Sequence, residues 1–198
     1  MLQRNDPLCR LVKRITKISF RPFYHIQVEG QKRLPRKDAC ILLPKHQRWQ
    51  DIPIIATATP RPLYYIAKHE LFINRLTGGF LESLGGIPLN REAPMKSRGS
   101  IRALIQFLKK GEGVVIFPEG TYYVNRMGPG KPGMLRLILS RMVFPLVPVG
   151  VRYGDGQPRT PVRVCFGNPI YPDRNVPPDA LLGRVMKEIA LLSRLETD

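Results

Sequence analysis

Apolar residues along the 198-residue chain recur at two spacings, and segments of each kind alternate. Over residues 8–21 an advance of about 100° per residue gathers Leu8, Leu11, Val12, Ile15 and Ile18 into one arc, which predicts a helix. Arg10, Lys13, Arg14, Lys17 and Arg21 fall opposite, so the helix is basic and amphipathic. Asp6 is placed to cap it, Pro7 suits its first turn, and Pro22 stops it. Ile26 and Val28 then alternate with polar neighbours, and apolar runs follow at 39–43 and 63–67, which predicts three strands. Helical spacing returns over 71–84, interrupted by Gly78 and Gly79. It is stronger over 100–110, where Ile101, Leu104, Ile105 and Leu108 share a face and Gly111 closes the helix. The short apolar runs at 113–117, 146–151 and 162–166 read as strands buried on both faces. A last helix over 178–195 turns Leu181, Val185, Ile189 and Leu192 inward. Met134, Leu135, Leu137 and Ile138 are read as core. Strands alternating with helices, with no internal repeat and no long linker, predict an α/β fold: one domain, a mostly parallel central sheet flanked by helices, preceded by the basic amphipathic helix in residues 1–22.

Charge sharpens this picture. Lys and Arg number 32 against 15 Asp and Glu, a formal charge of +17, which draws polyanions such as nucleic acid, an anionic membrane surface or an acidic soluble partner. Residues 1–40 alone hold ten cations against three acids. A basic amphipathic helix can lie in a headgroup layer with its apolar face inserted, or pack that face on its own domain and leave the cations in water. No aromatic and basic residues interleave in the manner of a nucleic-acid surface, so no nucleic-acid partner is expected. Cys9, Cys40 and Cys165 are too few and too scattered for a disulfide framework or a four-ligand zinc site, and no metal or cofactor is expected. Apolar runs such as 114–117 fall far short of the roughly 20 residues of a membrane span, and the N-terminus does not read as a secretory signal.

Candidate chemistry falls at strand ends. His46 follows the buried run 39–43, and Asp51 comes five residues later, ahead of an apolar stretch. That spacing suits a loop entering a helix, with the carboxylate reaching back to hold one ring nitrogen protonated and leave the other as a base. Taken alone, such a pair is also a common structural contact. Phe117, Pro118, Glu119, Gly120 and Thr121 follow another buried run and place an acid at the sheet edge, where α/β folds put their ligands. The plainer alternative is a turn with a solvated Glu119. Residues 85–91 bring a Gly pair and a short strand to Arg91, whose planar fork of donors suits phosphate. The glycines of 128–133 mimic a dinucleotide-binding pattern but lack the strand-to-helix turn it needs, and His69 with Glu70 lacks the second histidine of a zinc helix. Trp49, between His46 and Asp51, either lines the site or covers the core edge.

Together these blocks resemble the glycerolipid acyltransferases typified by 1-acylglycerol-3-phosphate acyltransferase, the PlsC-like family. His46 and Asp51 meet its first motif, Gly86 to Arg91 is similar to its second, Phe117 to Thr121 matches its third letter for letter, and the strand around Pro145 and Pro148 resembles its fourth. The resemblance makes residues 23–198 an acyltransferase domain with His46 and Asp51 catalytic. It assigns Arg91 to the acceptor's phosphate, and Glu119, Gly120 and Thr121 to the acceptor. It implies direct transfer from acyl-CoA or acyl-ACP, a co-substrate and not a cofactor, to the free hydroxyl of a lysophospholipid such as 1-acylglycerol-3-phosphate, with no acyl-enzyme. In keeping with that, no Gly-x-Ser-x-Gly elbow occurs. Lys45 and the pair Tyr122 and Tyr123 depart from the family pattern where a headgroup would bind. The expected setting is cytoplasmic, at the inner face of an anionic membrane. The alternatives are a different lipid acceptor (ornithine lipid, glycolipid or another lysophospholipid) and a non-catalytic basic protein binding lipid or nucleic acid.

Overall fold

The apolar runs become the strands of one seven-stranded sheet in the computed structural model, which describes residues 3–90, 97–173 and 175–196. In chain order the elements are α1 (Asp6–Phe20), β1 (Tyr24–Glu29), β2 (Cys40–Pro44), α2 (Asp51–Ala58), β3 (Tyr64–Lys68), α3 (Arg75–Ser83), β4 (Gly86–Leu89), α4 (Arg98–Lys109), β5 (Gly113–Val115), α5 (Gly133–Leu139), β6 (Leu146–Tyr153), β7 (Thr160–Phe166) and α6 (Pro178–Ser193). The strand order is β1-β7-β6-β2-β5-β3-β4. β6, β2, β5, β3 and β4 run parallel, so their carboxyl ends share one edge, while β7 is antiparallel to β6 and carries β1 alongside it.

Side chains alternate across the sheet and build two cores. On one face Ile41, Leu43, Ile66, Ile87 and Ile116 pack against α4, α5 and α6. On the other Leu42, Val115 and Val147 pack against Ile54, Ile55 and Ala58 of α2. β2, at the centre, is buried along its whole length.

Four local expectations need correction. The cap of α1 is Asn5, whose side chain accepts from the Leu8 N–H, while Asp6 pairs with Arg4 at 2.6 Å. α3 runs through Gly78 and Gly79 because Gly78 faces the backbone of Phe72, where a Cβ would lie 2.7 Å from a carbonyl oxygen. The strand after α4 ends at Val115, short of Phe117. β7 is not buried on both faces, since Arg163 turns outward to pair with Glu29 of β1 at 2.6 Å. α5 fell outside the sequence expectation as a helix, although Leu135 and Ile138 are core as read.

α1 packs on α2 and is tied by the Asn5 N–H to the Ser83 carbonyl and by Lys13 to the Thr59 carbonyl. None of its residues is buried. Leu8 and Val12 are half-buried, but Leu11, Ile15 and Ile18 are 54%, 55% and 73% exposed. The apolar arc is therefore only partly used by the domain. No helix among the described residues is long and apolar enough to cross a membrane.

Candidate active site

The carboxyl end of β2 carries the site. The Lys45 N–H still bonds to the Val149 carbonyl at 2.9 Å, so His46 leaves the sheet from a fixed point. Gln47 then pins the loop, its amide donating to the Val151 carbonyl at 2.7 Å and accepting from the Asn125 N–H at 2.8 Å. One turn later Asp51 opens α2, fully buried. Its Oδ2 accepts from the N–H groups of Gln47 and Arg48 at 2.5 and 2.8 Å and stands 3.1 Å from His46 Nδ1. Its Oδ1 accepts from the Tyr153 hydroxyl at 2.6 Å. Burial and the Asp51 carboxylate push the Tyr153 phenol far above its ordinary range, so it stays a donor.

A carboxylate at Nδ1 fixes the proton there and leaves the Nε2 lone pair free to accept another. The imidazole stacks on Phe117 with ring centroids 3.7 Å apart and meets Tyr122 edge-on at 4.4 Å. Two apolar channels reach Phe117. One, of about 270 Å³, passes between α1, α2 and β3, and the other, of about 320 Å³, passes between the opposite sheet face and α4, α5 and α6.

Beneath the imidazole lies a closed ion pair. Lys45 and Glu119 have 0% side-chain exposure, and the Lys45 ammonium meets Glu119 Oε1 and Oε2, each at 2.8 Å. It also donates to the Tyr123 and His46 carbonyls at 2.8 and 3.2 Å. Glu119 in turn accepts from the Gly128 N–H at 2.7 Å and the His46 N–H at 3.0 Å. Burial pushes the Lys45 ammonium below its ordinary range, against the opposing pull of Glu119. Gly128 is required where it stands, since a Cβ would meet the Tyr123 ring at 2.2 Å.

The structure thus brings His46, Asp51 and Glu119 together across the loops after β2 and β5. Gly120 makes the turn beside them with φ of 71°, a conformation that favours glycine, and Thr121 is exposed at its rim. Lys45, expected where a headgroup binds, is instead turned into the protein. Trp49 neither lines a channel nor covers the core; it is 60% exposed and lies edge-on to Phe20 of α1. Arg91 lies outside the described residues, and Asn90 before it lines the second channel. Sequence reasoning missed Tyr153 and Gly128. Among the described residues no cluster of three or more His, Cys, Asp or Glu could hold a metal ion.

This is an α/β protein with a carboxylate-braced histidine at the carboxyl edge of the parallel strands of a mostly parallel sheet. The chain belongs to the acyltransferase family, whose model, described as Acyltransferase, matches residues 25–152. It is 31% identical over 134 residues to a chloroplastic 1-acyl-sn-glycerol-3-phosphate acyltransferase of Brassica napus, covering 67% of this chain and 38% of that protein. It is 36% identical over 97 residues to the enzyme of the same name in Bacillus subtilis, covering 48% of each. The chain thus spans about half or less of the length of these two curated relatives. The crystal structure of the 1-acyl-sn-glycerophosphate acyltransferase PlsC of Thermotoga maritima shares the fold, with a TM-score of 0.74 and 23% identity over 94% of this chain and 77% of that one.

Proposed function

We propose that the chain transfers a fatty acyl group from acyl-CoA or acyl-ACP to the free hydroxyl of a lysophospholipid such as 1-acylglycerol-3-phosphate. The observation that carries this reading is the His46 imidazole braced through Nδ1 by a buried Asp51 beside two apolar channels. His46 Nε2 takes the hydroxyl proton while the oxygen attacks the thioester carbonyl. The tetrahedral intermediate then expels the thiolate, which recovers the proton from His46. Tyr153 and the two backbone N–H groups hold Asp51, and Asp51 holds the ring. Glu119 acts on the same loop by gripping the His46 N–H, and Gly120 and Thr121 form the rim against the acceptor. The activity for which both relatives are named supports the acceptor class. The test is to offer the purified chain a panel of lyso-acceptors with acyl-CoA or acyl-ACP and identify products by mass. Transfer to 1-acylglycerol-3-phosphate is expected, and no ester product with any acceptor would remove the reading. Tyr122, 51% exposed against the imidazole, favours a second reading with another lipid acceptor, which the same panel distinguishes.

Arg91 is proposed as the phosphate anchor. Arg91→Ala should raise KM for a phosphate-bearing acceptor by about 10- to 100-fold, the worth of a charge-assisted bond, with kcat little changed. An equal effect on a neutral acceptor such as a monoacylglycerol would contradict the anchor.

An anionic membrane surface at the inner face of the membrane is the proposed setting. Exposed Leu11, Ile15, Ile18 and Phe23 offer an apolar edge beside Arg10, Arg14, Lys17 and Arg21. The paired substitution Ile15→Asp with Ile18→Asp removes two insertable side chains and should weaken flotation with phosphatidylglycerol vesicles by at least about 10-fold. Unchanged flotation would leave α1 without that role.

A further inference from the structure

A groove of about 660 Å³ opens between α6 and the loop 127–132 that precedes α5. Met127, Leu182 and Met186 form its floor, glycines and prolines of the loop wall one side, and Gly183 and Lys187 of α6 wall the other. Gly183 lies well inside α6, where glycine weakens a helix, yet a Cβ there would meet nothing within 4 Å. The domain's own packing therefore does not call for glycine at this position; what it provides is room for another backbone to approach the helix. Four exposed cations rim the groove. Lys187 and, 60° further round α6, Arg184 stand on the helix side, and Arg126 and Lys131 stand on the loop. Among the described residues none of the four is ion-paired, whereas Asp179, the acid in the groove's lining, is held by Arg136 with Nε 2.7 Å from Oδ1.

Resting on the proposed acyl transfer, we infer that this groove docks a helix of an acidic carrier protein, so that the thioester arrives as acyl-ACP from the side of α6. A methionine floor repacks around an inserted apolar face, and a cationic rim answers acidic flanks, the pattern of an amphipathic helix laid in a groove. A nucleotide carrier fits less well, because the lining has no aromatic ring to stack on a base and no amide or hydroxyl side chain to read its edge. The groove is also fastened to the site. The Gly128 N–H holds Glu119, which holds the His46 N–H, and the Lys131 N–H bonds to the Pro118 carbonyl at 2.8 Å, two residues before Gly120. A carrier seated there stands beside the loop from which the base acts, while a CoA donor, having no helix, bypasses the groove.

Charge reversal at the rim, Arg184→Glu with Lys187→Glu, changes exposed side chains away from the catalytic groups. It should lower kcat/KM for acyl-ACP by at least about 10-fold, through KM, and that for acyl-CoA by less than about 2-fold. Gly183→Leu fills the groove without changing its charge. The same loss with acyl-ACP alone is expected, with Tm held or raised because the helix gains a side chain. Calorimetry with holo-ACP reads docking without turnover, and Kd should weaken by at least about 10-fold in both variants. Flotation with phosphatidylglycerol vesicles should not change. Equal losses with both donors, a loss with acyl-CoA alone, or unchanged binding and use of ACP would each overturn the inference, and a loss of flotation would give the groove to lipid instead. A wild type that transfers from acyl-CoA but does not bind holo-ACP overturns the docking and leaves the reaction standing. One that binds holo-ACP through the groove yet transfers from neither donor counts against the proposed reaction.

Discussion

Replacing His46 with Ala should lower kcat by at least about 100-fold, the smaller end of what a positioned general base contributes. The fold should survive the change, because Asp51 keeps the Gln47 and Arg48 N–H groups and the Tyr153 hydroxyl as donors and is not left as a bare buried charge. What is lost is the ring's stacking on Phe117, its edge contact with Tyr122 and its Nδ1 contact with Asp51, together roughly 1–2 kcal/mol, or about 2–8 °C in Tm for a chain of this size. Asp51→Asn is a poorer probe. Its amide N–H would face either two backbone N–H groups or the Tyr153 hydroxyl, so stability and activity would fall together. The measurement is single-turnover transfer from a radiolabelled acyl-CoA alongside thermal unfolding. Turnover above a few per cent of wild type in a folded His46→Ala protein would take the base role from His46. A cellular effect that outlived the loss of turnover would favour a binding protein on this scaffold.

Why the dyad could be read from the chain while much of its support could not is a matter of sequence distance. His46 and Asp51 lie five residues apart across a loop that enters a helix, and the strand before them is apolar throughout, so local pattern alone puts them at a sheet edge. α4 and α6 were legible for the same reason, since Leu104 and Leu108, and Leu181, Val185 and Ile189, repeat at helical spacing and are buried. Tyr153 reaches Asp51 across 102 residues of chain, a contact set by the pairing of β6 beside β2 and invisible to any window. Gly128 belongs to a glycine-rich stretch whose local pattern announces a loop, but the need for its N–H arises only from Glu119 nine residues back. Lys45 was one cation among 32, and no periodicity distinguishes a buried one. A signal did exist in its place directly between the buried run and His46, since a lysine there must find an acid, and Glu119 leaves a neighbouring strand at the same edge. For α1 the amphipathic spacing was correct and silent on what covers the apolar side. The packing shows that the domain covers Leu8 and Val12 in part and leaves Ile18 to its surroundings.

The pair of Lys45 and Glu119 should therefore be a large single stake in stability. Both side chains are enclosed, and among the described residues each charge meets the other and backbone groups of the loops after β2 and β5. Lys45→Met strands a carboxylate and Glu119→Gln strands an ammonium, and removing one partner of a buried pair costs about 3–5 kcal/mol. For a chain of this size that lowers Tm by roughly 6–20 °C. Activity should fall as well, because Glu119 Oε2 holds the His46 N–H and Lys45 holds the His46 carbonyl, so the imidazole loses its fixed origin even with Asp51 in place. The double substitution Lys45→Met with Glu119→Gln leaves no unpaired charge, and its amide oxygen can still accept one of the two N–H groups of His46 and Gly128. It should be less destabilised than the sum of the single variants by at least about 2 kcal/mol in a urea-unfolding cycle. Additive losses, or a Lys45→Met protein within about 1 kcal/mol of wild type, would mean that the pair is solvated in solution and that the loop is held by its backbone bonds alone.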